Sequence, residues 1–468
     1  MNRIFRHNAL PLITLLLAAT LLLGGCGGLL RSTYSRPEVS IPSRWQEAKV
    51  TGTVVATRDR WWRDFNDPTL SELIERALRS NNDLAAAAIR VRRAQLTARL
   101  TDTNLTPSVS VRADGSISSD LKNHVTTRSS GVTGTVSYEA DLWGKLARAR
   151  DAGHWEAEAT ESDRQSTALA LVGTVAANYW QIAYLNERIA TVEASIAYAE
   201  KILELVEVKY RAGSVSSLDK VQARQTVASQ KAQLTELLQQ RTEARNALAI
   251  LFDQAPENKM PELQRLPYGE LPAVNTGLPA SLLAQRPDLR AAEKRLREYL
   301  ANVDSTRASY YPTFTLTGTL GTGSNSLVEF LKNPYAALGA ALTLPFIQLN
   351  TMKLNVEISK TEYEEAVVNF RQTLYSALSD VENALSARTY YAEESKQLEE
   401  SLALARKAEQ LVEVRYHAGS TALQSWLDAQ ERRRDAEMAL SVVRLSQLKN
   451  CMSLYQALGG AMPASSRN

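Results

Sequence analysis

One ten-residue phrase occurs twice in the chain and constrains the fold more than any other feature. Leu205–Ser214 reads LVEVKYRAGS and Leu411–Ser420 reads LVEVRYHAGS, with eight of ten positions identical and an offset of 206. In both copies a long helical pattern runs in, a single glycine follows (Gly213, Gly419), and a Ser/Thr-containing turn leads into a second helical pattern. Glycine just past a basic last turn is a helix stop: it takes the left-handed conformation without a Cβ penalty, while Lys or Arg complements the helix dipole. Ser216-x-x-Asp219 and Thr421-x-x-Gln424 read as capping boxes that open the next helices. Each phrase is therefore expected to be the tip of a helical hairpin. A length of 468 residues alone suggests two or three domains. The repeat replaces that with two copies of one unit, and Asn82-Asp83-Leu84 against Pro287-Asp288-Leu289, with Pro107 against Pro312, extends it at an offset of 205.

Around the tips the pattern is helical for very long stretches. No proline falls between Pro107 and Pro256 or between Pro345 and Pro463, and Gly419 is the only glycine from Phe346 to Leu458. From Ala168 the apolar positions step by three and four through Leu171, Val175, Ile182, Leu185, Ile189, Val192, Ile196, Ala199, Leu203, Val206 and Tyr210, interrupted only by Asn178, a coiled-coil seam. Helices are expected from Trp143 to Arg211, over 217–252 and 422–458, and before the strands over 70–103 and 282–309.

Beyond Pro107 and Pro312 the period changes to two. Val109, Val111, Ala113 and Ile117 alternate with Ser108, Ser110, Arg112 and Asp114; Val132, Val136, Tyr138, Ala140 and Leu142 alternate with Thr133, Thr135, Ser137 and Glu139. Phe314, Leu316 and Leu320 alternate with Thr313, Thr315, Thr317 and Thr319, and a less regular run from Tyr335 to Phe346 keeps Leu338, Leu342, Leu344 and Phe346 on one side. Each run has about ten residues, the length of a tilted transmembrane strand. A soluble hairpin with one wet face gives the same alternation. Loops are expected at 119–130 and 323–334.

The first 25 residues read as a signal segment: Arg3 and Arg6 precede the apolar run Ala9–Leu23, which is short for a membrane span. Leu23-Gly24-Gly25-Cys26 resembles the bacterial lipobox, which implies an acylated Cys26 as the mature terminus, and Gly27 favours the outer membrane. Cys451 then has no partner and is expected to be buried and inert. The segments expected are a signal peptide (1–25), a lipid-anchored strap (26–66), a first repeat (67–252), a proline-rich linker (253–280), a second repeat (281–460) and a disordered tail (461–468). No later stretch approaches 18 consecutive apolar residues, so no membrane-spanning helix is expected in the mature chain.

Charge is nearly balanced, 54 Lys+Arg against 51 Asp+Glu, which leaves no nucleic-acid footprint. The four histidines are scattered, and there is no H-E-x-x-H, zinc-spaced Cys pair, Walker loop or G-x-S-x-G. Gly318-x-x-Gly321-x-Gly323 sits where a strand meets a loop, with no helix after it to cradle a phosphate. No enzyme, cofactor or metal centre is expected. Four strands cannot close a barrel, and an open sheet edge cannot sit in lipid. If the strands span a membrane, several chains must each contribute four; two chains give 8 and three give 12, and periodicity does not choose between them.

Several short motifs add a resemblance. Tyr34-x-Arg36-Pro37, Asp141-Leu142-Trp143-Gly144, Arg286-Pro287-Asp288-Leu289, Tyr311-Pro312, the two tips and Leu427-Asp428-Ala429-Gln430 together resemble the TolC-like outer-membrane factor family, in its lipoprotein branch associated with resistance-nodulation-division efflux pumps. The resemblance covers essentially the mature chain. It implies an α+β membrane protein: a homotrimer with a shared 12-stranded β-barrel, four strands per chain, and a long α-helical barrel in the periplasm. It implies a passive exit duct for drugs or other small toxic solutes, embedded in outer-membrane lipid and opened at its periplasmic tip by an adaptor protein and an inner-membrane efflux transporter. By the same resemblance Asp219, Tyr416 and Asp428 form the periplasmic gate, and Gly213, Ser214, Gly419 and Ser420 make the tip turns that meet the adaptor. Thr313, Thr315, Thr317 and Thr319 would face the lumen. Two departures stand out: Ile347-Gln348-Leu349-Asn350 replaces a glycine-containing turn after the fourth strand, and Thr421 stands where the family often has a charge. The competing readings are a lipid-anchored periplasmic adaptor, which would carry one hairpin flanked by small barrel modules, and a structural coiled-coil lipoprotein, which needs no strands.

Overall fold

The computed structural model describes residues 30–46, 60–256, 260–274, 279–326, 329 and 331–460. Cys26, the signal segment and the tail lie outside the described residues. The first repeat holds α1 (Pro68–Ser80), α2 (Asn82–Asp102), β1 (Ser108–Ser119), β2 (Thr126–Ala140), α3 (Lys145–Arg211) and α4 (Ser217–Ala249). The second holds α5 (Leu282–Gln285), α6 (Pro287–Ala308), β3 (Thr313–Ser324), β4 (Pro334–Thr343), α7 (Leu349–His417) and α8 (Leu423–Ala457), in the same order. The chain nonetheless forms two compact units that each draw on both repeats: one from residues 1–39, 89–162 and 290–373, the other from 40–88, 163–289 and 374–468.

In the first unit the four strands form one antiparallel sheet in the order β1-β2-β3-β4. The register keeps the two faces in phase. Val109 faces Val136, which faces Gly318, which faces Leu338; Tyr138 faces Leu316, which faces Ala340. One face is thus mostly Val, Leu, Ile, Phe, Tyr, Ala and Gly, with Arg128, Ser130 and Thr322 toward the loops, and the other is mostly Ser, Thr and Gly, with Arg112, Asp114, Glu139, Tyr335, Ala337 and Ala341. The strands outrun the ten residues expected by up to five, β2 having 15, so the first loop shrinks to 120–125. Strand β4 ends at Thr343, before Leu344, and the backbone tightens into a 3-10 turn over Pro345–Ile347. The chain thus turns after β4 without a glycine. Where β2 gives way to α3, Asp141 accepts from the backbone N–H of Leu146 and Ala147 (3.0 and 2.8 Å), capping the helix, while Trp143 donates its indole N–H to Pro312 O (2.8 Å) and packs on Tyr311. This accounts for the D-L-W-G motif. The strap is held by charge: buried Asp304 accepts from Ser32 N and Oγ (2.7 and 2.6 Å), Arg36 pairs with Glu293 (2.7 Å), and Arg297 lies between the Tyr34 and Trp155 rings.

The second unit carries the seam. All its expected positions from Leu171 to Ala199 are buried, as is Val206, but Tyr210 is exposed. Between 168 and 189 the stripe widens to include Val172, Ala176, Tyr179, Trp180 and Ala183, because Tyr179 and Trp180 pack under the strap. Tyr179 donates to Asp67, Tyr455 to Asp64, and Trp61 stacks on Tyr455 at 4.8 Å. An 18-residue window of α3 is apolar enough to cross a membrane, but 67% of it is buried inside the fold. The linker is tied to the helices by Glu187, which accepts from Leu266 N and Tyr268 Oη, and by Arg444, which donates to Pro267 O and Gly269 O. Cys451 is 1% exposed, and burial pushes its thiol up to about 11.

The helices expected over 70–103 and 282–309 are each two helices with a one-residue break, at Asn81 and at Arg286. Both break residues have extended backbones, and both are fixed by their side chains. Asn81 accepts from Leu84 N and donates to Leu251 O. Arg286 pairs with Asp288 (2.7 Å) and Asp380 (3.1 Å), and Pro287 then opens α6 at the first helical position, where it is tolerated.

Candidate functional site

The two tips have the same backbone. At the first, Gly213 (φ 74°) donates to Tyr210 O and Ser214 N to Lys209 O, both at 2.9 Å. At the second, Gly419 (φ 76°) donates to Tyr416 O at 3.0 Å and Ser420 N to Arg415 O at 2.9 Å. Each serine adds its Oγ to the same carbonyl, and these are paired C-terminal helix caps with glycine in the left-handed region. Gly213, Ser214, Gly419 and Ser420 are all exposed.

The return helices begin differently. Ser216 and Asp219 form the full capping box: Asp219 N donates to Ser216 Oγ, and Asp219 Oδ2 accepts from Ser216 N and Oγ (2.9 and 2.7 Å). The box expected at Thr421 and Gln424 does not form. The N-cap there is Ala422, with no side-chain bond, and Gln424 instead donates to Asp428 one turn on (2.5 Å).

Tyr416 is 7% exposed and sits in a cluster with Ile202 and Val206 of α3, Ala223 of α4 and Leu423, Trp426 and Leu427 of α8. Its ring stacks on Trp426 (centroids 5.0 Å apart), and Lys209 lies over it at 4.8 Å. Burial raises its pKa, and the Asp219 charge adds to the rise. Among the described residues its hydroxyl has no hydrogen-bond partner. Tyr416 and Asp219 are therefore close enough to feel one another but not bonded, because the carboxylate closes its own helix cap. The two hairpins are joined at the tip by ring packing and by Tyr198, which donates to Glu413 (2.9 Å). Asp428 is half-buried on α8, beside this cluster in sequence. Trp426 was not singled out from the sequence. Its signal was the apolar triplet Leu423, Trp426 and Leu427 at helical spacing straight after the second tip.

On the sheet, Phe314, Leu316 and Leu320 are exposed, whereas Thr313, Thr315, Thr317 and Thr319 are half-buried. The apolar face is open across all four strands: Val111 is 75% exposed, Leu320 70% and Leu338 95%. On the other face Tyr335 lies against Gly321, where a Cβ would meet its ring at 2.8 Å. Strands β1 and β4 each have one unpaired edge among the described residues.

The sequence pattern of the family described as outer membrane efflux protein matches residues 73–252 and 278–460, one stretch for each copy of the repeat. The chain belongs to that family. Relatives agree along nearly the whole length. The pyoverdine export outer membrane protein OpmQ of Pseudomonas putida is 34% identical over 450 residues, covering 93% of this chain and 95% of the relative. The cation efflux system protein CusC of Escherichia coli is 29% identical, covering 94% and 96%. Among solved structures, CusC superposes with a TM-score of 0.83 at 26% identity over 92% of this chain and all of that one. The open state of the Neisseria gonorrhoeae MtrE outer membrane channel gives 0.78 at 29% identity, covering 92% and 98%. The chain is thus an outer-membrane efflux channel component of the TolC-like kind, with a helical domain and a β domain, and its place is the outer membrane. The named relatives are channels and export proteins rather than enzymes.

Proposed function

We propose that three copies of the chain close a 12-stranded barrel in the outer membrane, and that this trimer is the passive exit duct of a tripartite pump. The observation that carries the reading is the sheet. Its four strands pair in sequence order, one face is mostly apolar and exposed, the other is mostly Ser, Thr and Gly, and among the described residues both edges are unpaired. An exposed apolar face of this extent marks a partner or membrane surface, and unpaired edges in lipid demand further strands. In this reading Phe314, Leu316 and Leu320 meet lipid, and Thr313, Thr315, Thr317 and Thr319 line the lumen. Leu320→Arg should then cost roughly 2–4 kcal/mol and Thr319→Arg much less. The yield of heat-modifiable trimer in outer membranes measures this, and equal losses for both variants sink the barrel.

The tips are the periplasmic mouth in the same reading. Gly213, Ser214, Gly419 and Ser420 present exposed turns to a periplasmic adaptor, which with an inner-membrane transporter opens the duct. Tyr416 and Asp219 hold the closed tip, and Asp428 gives the mouth negative charge. Because the Tyr416 hydroxyl has no partner among the described residues, removing the ring is the informative change. Tyr416→Ala with Asp219→Ala should raise single-channel conductance in planar bilayers, and Asp428→Ala should weaken cation preference. Unchanged conductance and selectivity in a folded trimer would leave these residues as tip packing. Cys26 carries the lipid anchor in this account, so Cys26→Ser abolishes palmitate labelling while the barrel keeps the protein in the membrane.

A further inference from the structure

Within the second unit, a cavity of about 770 Å³ lies among α3, the linker, α7 and α8. Five guanidinium groups line it: Arg188 from α3, Arg265 from the linker, Arg406 from α7, and Arg433 and Arg434 from α8. Among the described residues only two carboxylates line it, Glu187 and Glu437. Both are committed. Glu187 accepts from Leu266 N and Tyr268 Oη (2.9 and 2.6 Å), and Glu437 is shared by Arg406 and Arg433 (3.0 and 2.8 Å). Arg433 also pairs with Glu409 at 2.5 Å.

Arg188 is the anomaly. It is 5% exposed, and among the described residues its Nε has no partner and its one hydrogen bond runs from a terminal nitrogen to Met438 Sδ at 3.2 Å. A guanidinium stays charged inside a protein, and a buried charge without a counterion is expensive. Among the described residues no carboxylate stands within ion-pair distance of it, and the same is true of Arg265 and Arg434. Burial and the neighbouring Arg433 lower the pKa of Arg434, outweighing the opposing charges of Glu431, Asp435 and Glu409. The cations also come from separate elements, so the charge is gathered by the fold rather than by one helix face.

We propose that this cavity binds a small multiply charged oxyanion of the phosphate class, with Arg188 as its buried donor and Arg265 and Arg434 as the further cations. The planar fork of arginine matches such oxygens two at a time. The volume suits a group larger than a single phosphate. A bound anion would join α3, from the first hairpin, to α7 and α8, from the second, so the site would bear on how firmly the hairpins hold together.

The test uses the full-length protein purified in detergent, titrated with inorganic pyrophosphate against sodium chloride of equal ionic strength by calorimetry. Saturable binding of one pyrophosphate per chain is expected. Arg188→Gln should weaken it at least about tenfold, as expected for loss of a charge-assisted hydrogen bond. If Arg188→Gln does not fold, Arg265→Gln and Arg434→Gln serve instead: each should weaken binding severalfold. No heat beyond the chloride control overturns the proposal, as does unchanged affinity in the variants. A structure in which an acidic side chain of a second copy fills the cavity overturns it as well.

Discussion

The two tips share eight of ten residues and one backbone, yet the tyrosine they share has opposite fates. Tyr416 is 7% exposed between Val206 and Trp426, whereas Tyr210, its counterpart 206 positions earlier, is 41% exposed with Lys220 near its ring. The difference comes from outside the phrase. After the second tip, Ala422 opens the return helix and places Leu423, Trp426 and Leu427 against the tyrosine. After the first, Ser216 and Asp219 lock a polar cap, and Leu218 and Val221 stay exposed. Repetition has kept the helix stop, which depends on a backbone conformation, and has let the side chains diverge into one polar tip and one aromatic tip.

The largest expected difference between the tips follows from those rings. Tyr416→Ala or Trp426→Ala empties a packed cluster and should cost roughly 3–5 kcal/mol, while Tyr210→Ala should stay within about 0.5 kcal/mol. Native-state hydrogen exchange of the amides of 205–214 and 411–420 reads the opening of each tip separately. Equal protection losses in the two copies would mean that the tyrosines do the same job.

This contrast marks how far the sequence was legible. Hairpin tips, strand alternation and the long seam follow from glycine, period two and period 3.6, which are local properties. Alternation gives the face of each residue but not the pairing register, because a slip of two residues keeps the faces; the match of Val136 with Gly318 and of Gly318 with Leu338 comes from the structure. The breaks at Asn81 and Arg286 were hidden because each takes a single residue whose partners, Leu251 and Asp380, lie far along the chain. The cap expected at Thr421 failed for a related reason. Thr421 and Gln424 have the right spacing, but packing of Leu423 and Trp426 sets the helix start at Ala422.

The Tyr416 hydroxyl sharpens the comparison at a smaller scale. A buried hydroxyl without a partner contributes nothing by hydrogen bonding, so Tyr416→Phe should leave the second tip as stable or raise it by about 1 kcal/mol. The exposed Tyr210→Phe should be neutral. A loss of protection at 411–420 in Tyr416→Phe would reveal a partner in the assembly that the single chain lacks.

The caps differ by a similar amount in the opposite direction. Ser216→Ala removes the acceptor for Asp219 N and should cost about 1 kcal/mol at the first tip. Thr421→Ala should change the second tip by little, since Thr421 makes no cap there. Exchange at the first amides of α4 and α8 compares them directly.

The smallest expected difference is none. Gly213 and Gly419 have φ of 74° and 76°, with nothing within 4 Å of where a Cβ would stand. Gly213→Ala and Gly419→Ala therefore meet no clash, and the cost is that of holding an L-residue in the left-handed region, roughly 1–2 kcal/mol. Because the backbone alone sets it, the cost should be the same at both tips, read as equal loss of protection for the Ser214 and Ser420 amides, which donate to Lys209 O and Arg415 O. A clear excess at Gly419 would mean that the aromatic cluster adds strain to the turn, and that the two tips differ in backbone as well as in side chains.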